Sequence, residues 1–352
     1  MFSAFKLLTL AALKATTIFS IPLEDDQLIF NPSLSSIDTE FPSLKLSNPP
    51  KGHINRTLPS GREYVLFVPD EYDHKVEHPL VLSFHGAGGN SSRQEILTQL
   101  TKPELRIDNK PFLSAFPQGV DNTIWGMKHI WRGAPYANQS VDDVQFVKDI
   151  LKDISLNYTL NPLRYYASGK SNGGGFTSLL SCLPDTSKLF AAFSLISPAL
   201  YQEALSFSGC LPSRPIPILH SHGIEDDDTP FKGRSRSENW LFGPEPNVNN
   251  FRKRWALRNG HPPSTLTSKK NKLPKPNEIN FPYKNVTEEK WTLGKAEIIG
   301  LSIGGLGHSW PSTEGLDLAG RPNNFANFNF TSQHLVQFFS RHTLPEEFLE
   351  KN

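Results

Sequence analysis

The stretch Tyr166-Ala-Ser-Gly-Lys-Ser-Asn-Gly-Gly-Gly-Phe176 contains the pattern Gly169-x-Ser171-x-Gly173, between a strand-like run and a helix-like run. This context is typical of a nucleophile elbow, a tight strand-to-helix turn that exposes a serine hydroxyl at the top of a sheet. Glycine is expected at both flanking positions because a side chain there would collide across so sharp a turn. Ser171 is therefore a candidate nucleophile.

Ser171 has two other interpretations. The run Gly169-Lys-Ser171 could end a phosphate-binding loop, but that motif requires glycine at position 164, which is Arg164. Ser171 could instead be only a helix N-cap, a common role for serine after a strand. The segments that would supply catalytic partners decide between these possibilities.

Those partners occur downstream, in a particular chain order. A strand-like run starting at Ile216 ends in an acidic turn containing Asp226, and His308 lies in a glycine-rich loop after another apolar run. The order Ser171, Asp226, His308 is that of α/β-hydrolases, and it predicts a catalytic triad. Asp226 is favoured because it follows the strand-end turn directly. The choice of carboxylate remains open among four neighbours, which are Glu225, Asp226, Asp227 and Asp228.

An upstream loop is expected to complete the site. Residues 79–84 form a strand-like run, and His85-Gly-Ala-Gly-Gly-Asn90 follows as a loop with accessible amides. The backbone amides of Ala87 and Asn172 are therefore predicted to form an oxyanion hole. His220 and His222 share one strand face and could suggest metal ligands, but no cysteine or carboxylate cluster completes a site. We interpret them as structural and predict no metal.

Strand-like runs alternate with helix-like runs along the chain, as a doubly wound sheet requires. The sequence thus predicts an α/β-hydrolase fold with a mostly parallel central sheet and helices on both faces. The strand-like runs are 63–68, 80–84, 112–116, 164–168, 192–197, 216–220 and 296–302, and the helix-like runs are 141–156, 176–182, 249–259 and 332–340.

The domain organisation follows from where the catalytic segments lie. They fall between about 80 and 311 in this numbering, so a division of the chain into two domains would cut the site. We therefore expect one catalytic domain over 51–345. A basic, proline-rich stretch, about 261–285, is predicted to be an irregular insertion.

The N-terminal residues indicate export. Residues 1–20 combine an early lysine, a short apolar run and a small residue, which is typical of a secretory signal peptide. Residues 21–50 lack periodicity and are expected to be a loosely ordered lead-in. An N-terminal anchor is the alternative, but the apolar run is far shorter than the roughly 20 residues that cross a bilayer. The protein is therefore expected to be secreted and extracellular.

Cysteines and sequons agree with that route. Cys182 and Cys210 are the only cysteines, and in an oxidising compartment they predict a disulfide. The alternative is two buried thiols. Asn90 also carries a sequon but lies in the suspected oxyanion loop, so a glycan is not expected there. Glycosylation is predicted at Asn55, Asn138, Asn157, Asn285 and Asn329.

The formal net charge of the chain is only +1. The overall charge of the chain therefore does not indicate nucleic acid or an anionic membrane as a partner.

Further motifs carry a family resemblance. They are Pro59-Ser-Gly-Arg-Glu-Tyr64, the Phe84-His-Gly loop, Pro117-Gln-Gly-Val120, Trp131-Arg-Gly-Ala-Pro-Tyr136, Val141-Asp-Asp-Val144, the elbow and Gly307-His-Ser-Trp-Pro-Ser-Thr313. With these motifs the chain resembles, from about 56 to 340, the secreted fungal feruloyl esterases of carbohydrate esterase family 1, which are related to polyhydroxybutyrate depolymerase-like esterases. Members of that family are richer in cysteine, and the segments 157–160 and 259–261 lack the cysteines expected nearby.

The resemblance implies hydrolysis of the ester that joins ferulate to arabinose side chains of plant xylan, with no cofactor. Ser171 would be the nucleophile, His308 the acid/base and Asp226 its partner. Three tryptophans lie in or near the motif loops, Trp125, Trp131 and Trp310, and they could line an aromatic acyl slot or simply pack beneath the loops. An acetylxylan or short-polyester esterase is the first alternative, since the same arrangement of catalytic residues can hydrolyse many kinds of ester. A non-catalytic wall-binding protein is the second, and an intact triad argues against it.

Overall fold

A ten-stranded mixed sheet lies at the centre of the computed structural model, which describes residues 48–121, 126–201, 209–235, 243–263, 273–317 and 324–349. The strand order is β1-β2-β4-β3-β5-β6-β7-β10-β9-β8, and the six strands from β4 to β10 in this order run parallel. Antiparallel strands close both edges. The strands are β1 Gly52–Thr57, β2 Glu63–Val68, β3 His78–Phe84, β4 Leu113–Pro117, β5 Leu160–Lys170, β6 Ala192–Ile196, β7 Ile218–Gly223, β8 Glu278–Tyr283, β9 Val286–Trp291 and β10 Ile298–Ile303.

The helices connect these strands. A π-helical turn over Thr331–Leu335 leads into the last α-helix, and a 3-10 turn covers Glu346–Phe348. The α-helices are α1 Ser91–Thr98, α2 Asp143–Asn157, α3 Asn172–Cys182, α4 Pro184–Ser187, α5 Val248–Arg258 and α6 Val336–Ser340. In the described part of the chain, no helix has the length and apolar character needed to cross a membrane.

Side-chain alternation along β3 shows how the sheet is covered. Leu80 and Leu82 pack into one hydrophobic cluster, together with residues of α2 and α3. Val81 points the other way, into a second cluster that contains residues of α6. Because successive side chains of a strand face opposite sides, the two clusters lie on opposite faces of the sheet. Helices on both faces of a mostly parallel sheet are what the sequence predicted.

The prediction holds best for buried strands. All seven predicted strand-like runs overlap observed strands. Six of them are the parallel strands, because parallel strands that are buried on both faces read as continuous apolar runs. The seventh, β2, is antiparallel to both neighbours, and its side chains alternate in burial. The four predicted helices are also present, with ends shifted by a few residues. The α-helices and strands that were missed are β1, β8, β9, α1 and α4. Of these, β1 and β8 are edge strands whose side chains are largely exposed, and their sequences carry little apolar periodicity.

The predicted irregular insertion is wrong in part. Of its residues, 264–272 lie outside the described part of the chain, but Glu278–Tyr283 forms the edge strand β8. Ile279 and Phe281 on this strand are exposed, so burial did not mark the strand in the sequence. Pairing with β9 stabilises it instead.

A disulfide joins Cys182 and Cys210, as predicted. Cys182 is the last residue of α3, and Cys210 follows β6. The bond therefore ties the end of the elbow helix to the segment that leads into β7. The residues from Ser43 to Asn352 cluster as one compact unit. The predicted signal peptide and most of the lead-in, residues 1–47, lie outside the described residues.

Candidate active site

Ser171 lies at the turn between β5 and α3, with a backbone φ of 56° and ψ of −123°. A serine with positive φ is strained, and such strain is often held at functional sites. Ser171 occupies the N-cap position, yet its side chain makes no capping hydrogen bond. The hydroxyl is thus not used as a helix cap, which removes the simplest structural explanation for this serine.

The glycines of the elbow are required by close backbone contacts. A Cβ on Gly173 would lie 2.3 Å from the carbonyl oxygen of Phe84, and one on Gly169 would lie 2.4 Å from the carbonyl oxygen of Gly173. Real Cβ atoms do not approach backbone this closely. The turn can therefore pack against the end of β3 only with glycine at both positions.

His308 and Asp226 form a hydrogen-bonded pair. His308 Nδ1 lies 2.9 Å from Asp226 Oδ2 and 3.1 Å from Oδ1, and both residues are buried. Thr229 holds the carboxylate from the other side, since its backbone amide donates to Oδ1 at 2.8 Å and its hydroxyl donates to Oδ2 at 3.0 Å. Of the four candidate acids, the one that meets the histidine is Asp226.

The charge state of Asp226 suits an orienting role. Burial raises its pKa, but the hydrogen bond and the electrostatic attraction of His308 outweigh burial and hold the pKa below its usual range. The carboxylate therefore remains ionised at neutral pH. An ionised acceptor keeps the His308 proton on Nδ1 and leaves Nε2 free to accept a proton.

Ser171 and His308 line one pocket of about 520 Å³. Gly86 and Ala87 line it too, and a Cβ on Gly86 would lie 3.1 Å from the Ser171 Cβ. The loop after β3 therefore passes directly over the serine. Asn172 is the first residue of α3, so its amide has no carbonyl partner within the helix. These two backbone segments are those predicted for the oxyanion hole.

His85 shapes that loop. Its Nδ1 donates to the carbonyl of Gly86 at 2.7 Å, and its Nε2 accepts from the amide of Gly119 at 2.9 Å. Burial lowers its pKa to about 4. The ring is therefore neutral, and it fixes the loop between β3 and α1 against the segment after β4.

The predicted aromatic acyl slot is wrong for the two tryptophans that the structure describes. Trp131 is fully buried, stacks on Phe176 and donates from its indole to the carbonyl of His85. Trp310 is buried as well and donates to Thr331. Both pack beneath the loops because their polar indole N–H groups find partners there. Trp125 lies outside the described residues.

Two tyrosines line the pocket instead. Tyr136 and Tyr201 are joined by their hydroxyls at 2.8 Å, and the Asn172 side-chain amide donates to Tyr201 at 3.1 Å. The side-chain oxygen of Asn172, Oδ1, accepts a hydrogen bond from the backbone amide of Trp131. Tyr136 belonged to a motif noted in the sequence, but no local pattern pointed to Tyr201.

A chain of hydrogen bonds between buried polar side chains extends to the loop that carries Asp226. The Arg252 Nε donates to His220 Nδ1 at 3.4 Å, His220 Nε2 donates to His222 Nδ1 at 3.3 Å, and His222 Nε2 donates to the carbonyl of Thr229 at 2.7 Å. His222 Nε2 also lies 3.4 Å from Asp226 Oδ2. The two histidines therefore support the loop that holds the carboxylate. Among the described residues, no group of three His, Cys, Asp or Glu side chains could hold a metal.

The stability of the protein should fall in acid because His222 is buried and neutral. Burial lowers its folded pKa to about 4, against an unfolded value near 6.5. Below pH 6.5 the unfolded chain binds a proton that the folded protein excludes, so this stability is present above pH 6.5 and is lost towards pH 4. In urea unfolding, His222→Gln should reduce the stability loss between pH 7 and pH 5 by about 2 kcal/mol.

His74→Gln is the matched control for that prediction. Its side chain is 38% exposed, so the same substitution there removes a histidine that folding does not bury. Equal slopes for wild type and His222→Gln would contradict the prediction.

The predicted glycosylation sites differ in exposure. Asn55, Asn138 and Asn285 are exposed, whereas Asn157 and Asn329 are half-buried. Glycosylation at these positions remains a prediction. The excluded Asn90 caps α1, where its side-chain oxygen accepts from the amide of Arg93 at 2.8 Å.

Comparison with known proteins relates the chain to fungal esterases. The chain is 30% identical over 178 residues to feruloyl esterase C of Emericella nidulans, a match that covers 49% of this chain and 58% of that protein. The chain is similar to fungal feruloyl esterases. It is also 27% identical over 170 residues to a bifunctional acetylxylan esterase/xylanase from Neocallimastix patriciarum, covering 48% of this chain and 22% of that protein. No protein-family model matches the chain.

A solved structure supports the fold. An acetyl xylan esterase from Aspergillus awamori superposes with a TM-score of 0.51 at 14% identity, and the match covers 73% of this chain and 94% of that one. Its resemblance, with the sheet described above, confirms the predicted α/β-hydrolase fold. At this identity the likeness concerns fold alone.

Proposed function

We propose that this protein is a secreted serine esterase that hydrolyses feruloyl esters on plant cell-wall arabinoxylan. The observation that carries the proposal is that His308, which is hydrogen-bonded to Asp226, lines the same pocket as a strained, uncapped Ser171. The similarity to feruloyl esterases supports the acyl group, and the similarity to the bifunctional acetylxylan esterase/xylanase supports xylan as the polymer. The sequence features of an exported glycoprotein support an extracellular location.

The chemistry follows from the roles of the three side chains. His308 Nε2 takes the proton of Ser171 as the hydroxyl oxygen attacks the ester carbonyl carbon, and Asp226 stabilises the imidazolium that forms. The carbon–oxygen bond to the sugar then breaks, and the leaving oxygen takes the proton from His308. Water cleaves the feruloyl-enzyme by the same steps in reverse, which releases ferulate and restores the serine.

The oxyanion of each tetrahedral intermediate would be held by backbone amides. The amide of Asn172 stands at the start of α3, where the helix dipole favours negative charge, and the amide of Ala87 lies in the loop over Ser171. Loss of one such donor typically costs roughly 3 kcal/mol of transition-state stabilisation. Because these are backbone groups, their position depends on the packing of His85 and Gly173.

A second candidate is an esterase for acetylated xylan. It is favoured by the similarity to the bifunctional acetylxylan esterase/xylanase. Acetyl and feruloyl esters would use the same triad and differ only in how the acyl group is bound.

A substrate panel distinguishes the two functions. The purified full-length protein should release ferulate from methyl ferulate and from feruloylated arabinoxylan, measured by chromatography of the free acid. We expect a higher kcat/KM for feruloyl than for acetyl esters. Faster turnover of acetylated xylan would favour the second candidate, and no turnover of any ester by folded protein would reject both.

A further inference from the structure

One wall of the pocket carries a buried carboxylate that the proposed reaction does not use. Glu245 lines the pocket, and its exposed fraction is 7%. Its backbone pairs with that of Arg234 through two hydrogen bonds, at 3.0 and 2.9 Å, which fix the two residues side by side. Both residues lie on the same pocket as Tyr136, Tyr201 and Ser171.

The Glu245 carboxylate is ion-paired with Arg234, but the pair is incompletely hydrogen-bonded. Glu245 Oε2 lies 3.3 Å from Arg234 Nε, with angles that are poor for a hydrogen bond. Within the described part of the chain, no other donor reaches Oε2. A buried ion pair repays its desolvation only when its geometry is good and additional hydrogen bonds complete it, so this pair in the wall of a binding pocket requires an explanation. The tyrosine hydroxyls on the same wall, by contrast, are already paired with each other.

The surroundings favour a neutral hydrogen-bonding partner for this group. Burial raises the pKa of Glu245 to about 7, Arg234 opposes this effect, and the nearby carboxylates of Asp226 and Asp228 add to it. A second anion would be repelled here by these carboxylates. A hydroxyl group fits, since it donates a hydrogen bond without adding charge, and either protonation state of the carboxyl group can accept it.

We propose that Glu245 determines substrate specificity by accepting a hydrogen bond from a hydroxyl group of the ester. The inference rests on the proposed esterase function and refines its substrate class to hydroxyl-bearing esters. The hydroxyl could belong to the phenolic ring of the acyl group or to the sugar that leaves. Both present the same chemistry to the carboxylate, so the substrates in the test separate them.

The test compares ester pairs that differ by hydroxyl groups, using wild type and Glu245→Leu. In the phenol pair, methyl ferulate is compared with methyl 3,4-dimethoxycinnamate. In the sugar pair, the 3,4-dimethoxycinnamoyl ester of arabinose is compared with the methyl ester of the same acid. We expect the substitution to lower kcat/KM by roughly 10- to 100-fold for the hydroxyl-bearing member of one pair, and by less than about threefold for its partner.

Two further variants keep the test decisive. Glu245→Gln retains an acceptor of the same length and should restore most of the selectivity. Glu245→Asp withdraws the carboxylate by one methylene and should give an intermediate loss, which is informative if the leucine variant fails to fold. Titration of Ser171 with an organophosphate counts the folded sites, so that rates are expressed per active molecule.

Glu288→Leu is the matched control. Glu288 is also a buried glutamate, with an exposed fraction of 8%, but it lies on β9 and does not line the pocket. Its replacement should leave the ratio within each pair unchanged.

The outcomes separate this inference from the proposed function. A selective loss in the phenol pair places the hydroxyl on the acyl group, and one in the sugar pair places it on the leaving group. Equal losses for both members of both pairs, or no loss, would overturn the inference while the esterase function stands. If the wild type hydrolyses acetyl esters only, a single pair, acetyl-arabinose and methyl acetate, replaces the two pairs. The same criteria then apply to that pair. If it hydrolyses no ester, the function and the inference both fail.

Discussion

Replacing Ser171 with alanine is expected to lower kcat/KM for methyl ferulate by a factor of about 10⁵ to 10⁶, which is the size of effect seen when a triad serine is removed. Alanine has no oxygen to form the acyl-enzyme, so only the oxyanion hole and substrate binding remain to accelerate hydrolysis. The fold should persist, because alanine accepts the same φ of 56° no worse than serine and no capping hydrogen bond is lost.

The measurement combines steady-state kinetics with thermal unfolding. Ser178→Ala is a suitable control, since Ser178 lies in the same helix, is buried and has a hydroxyl with no hydrogen-bond partner among the described residues. It should retain at least about half of the wild-type rate. A Ser171→Ala protein that is folded and retains a tenth of the activity would refute the nucleophile assignment.

Replacing Asp226 with asparagine is expected to lower kcat by about 10⁴-fold. The asparagine oxygen can still accept from the amides of Asp228 and Thr229, as Oδ1 does at 3.0 and 2.8 Å. The amide nitrogen would then stand where Oδ2 now faces His308 Nδ1. A donor facing Nδ1 favours the tautomer with the proton on Nε2, and that nitrogen can no longer accept the serine proton.

The neighbouring acid tests the assignment of this carboxylate. Glu225 is exposed, and its side chain accepts from the amide of Gly305 at 2.7 Å. Glu225→Gln should therefore keep the wild-type kcat within about twofold. If Glu225→Gln is the damaging variant and Asp226→Asn is active, the pairing of Asp226 with His308 does not serve catalysis.

The parts of the site that sequence reasoning located share one property, which is a local signature. The elbow needs two glycines within five residues, and Asp226 and His308 each follow an apolar strand directly. Such features are local because the end of a strand in a parallel sheet is also the edge where the site forms. The tryptophans failed as predictions because an indole has the same apolar appearance in a pocket and beneath a loop. Only the partners of Trp131 and Trp310 separate the two cases.

The walls of the pocket depend on contacts between distant segments. Tyr201 meets Tyr136 across 65 residues, and Glu245 reaches the pocket from a segment far from the elbow. No spacing in the sequence relates these residues, since their proximity results from how the loops pack over the sheet. The edge strands β1 and β8 were missed for a related reason. An edge strand is stabilised by hydrogen bonds to its neighbour, and its sequence need not show a buried face.

The sequence by itself determined the class of fold, the serine turn, the order of the three catalytic candidates and the cysteine pair. Each of these depends on apolar runs, on glycines or on a residue type that can be recognised alone. Only the tertiary structure decided which of four neighbouring acids contacts His308, that the tryptophans pack rather than line the pocket, and that Glu245 faces it. These are matters of side-chain direction, and direction is set by the packing of residues that lie far apart in the chain.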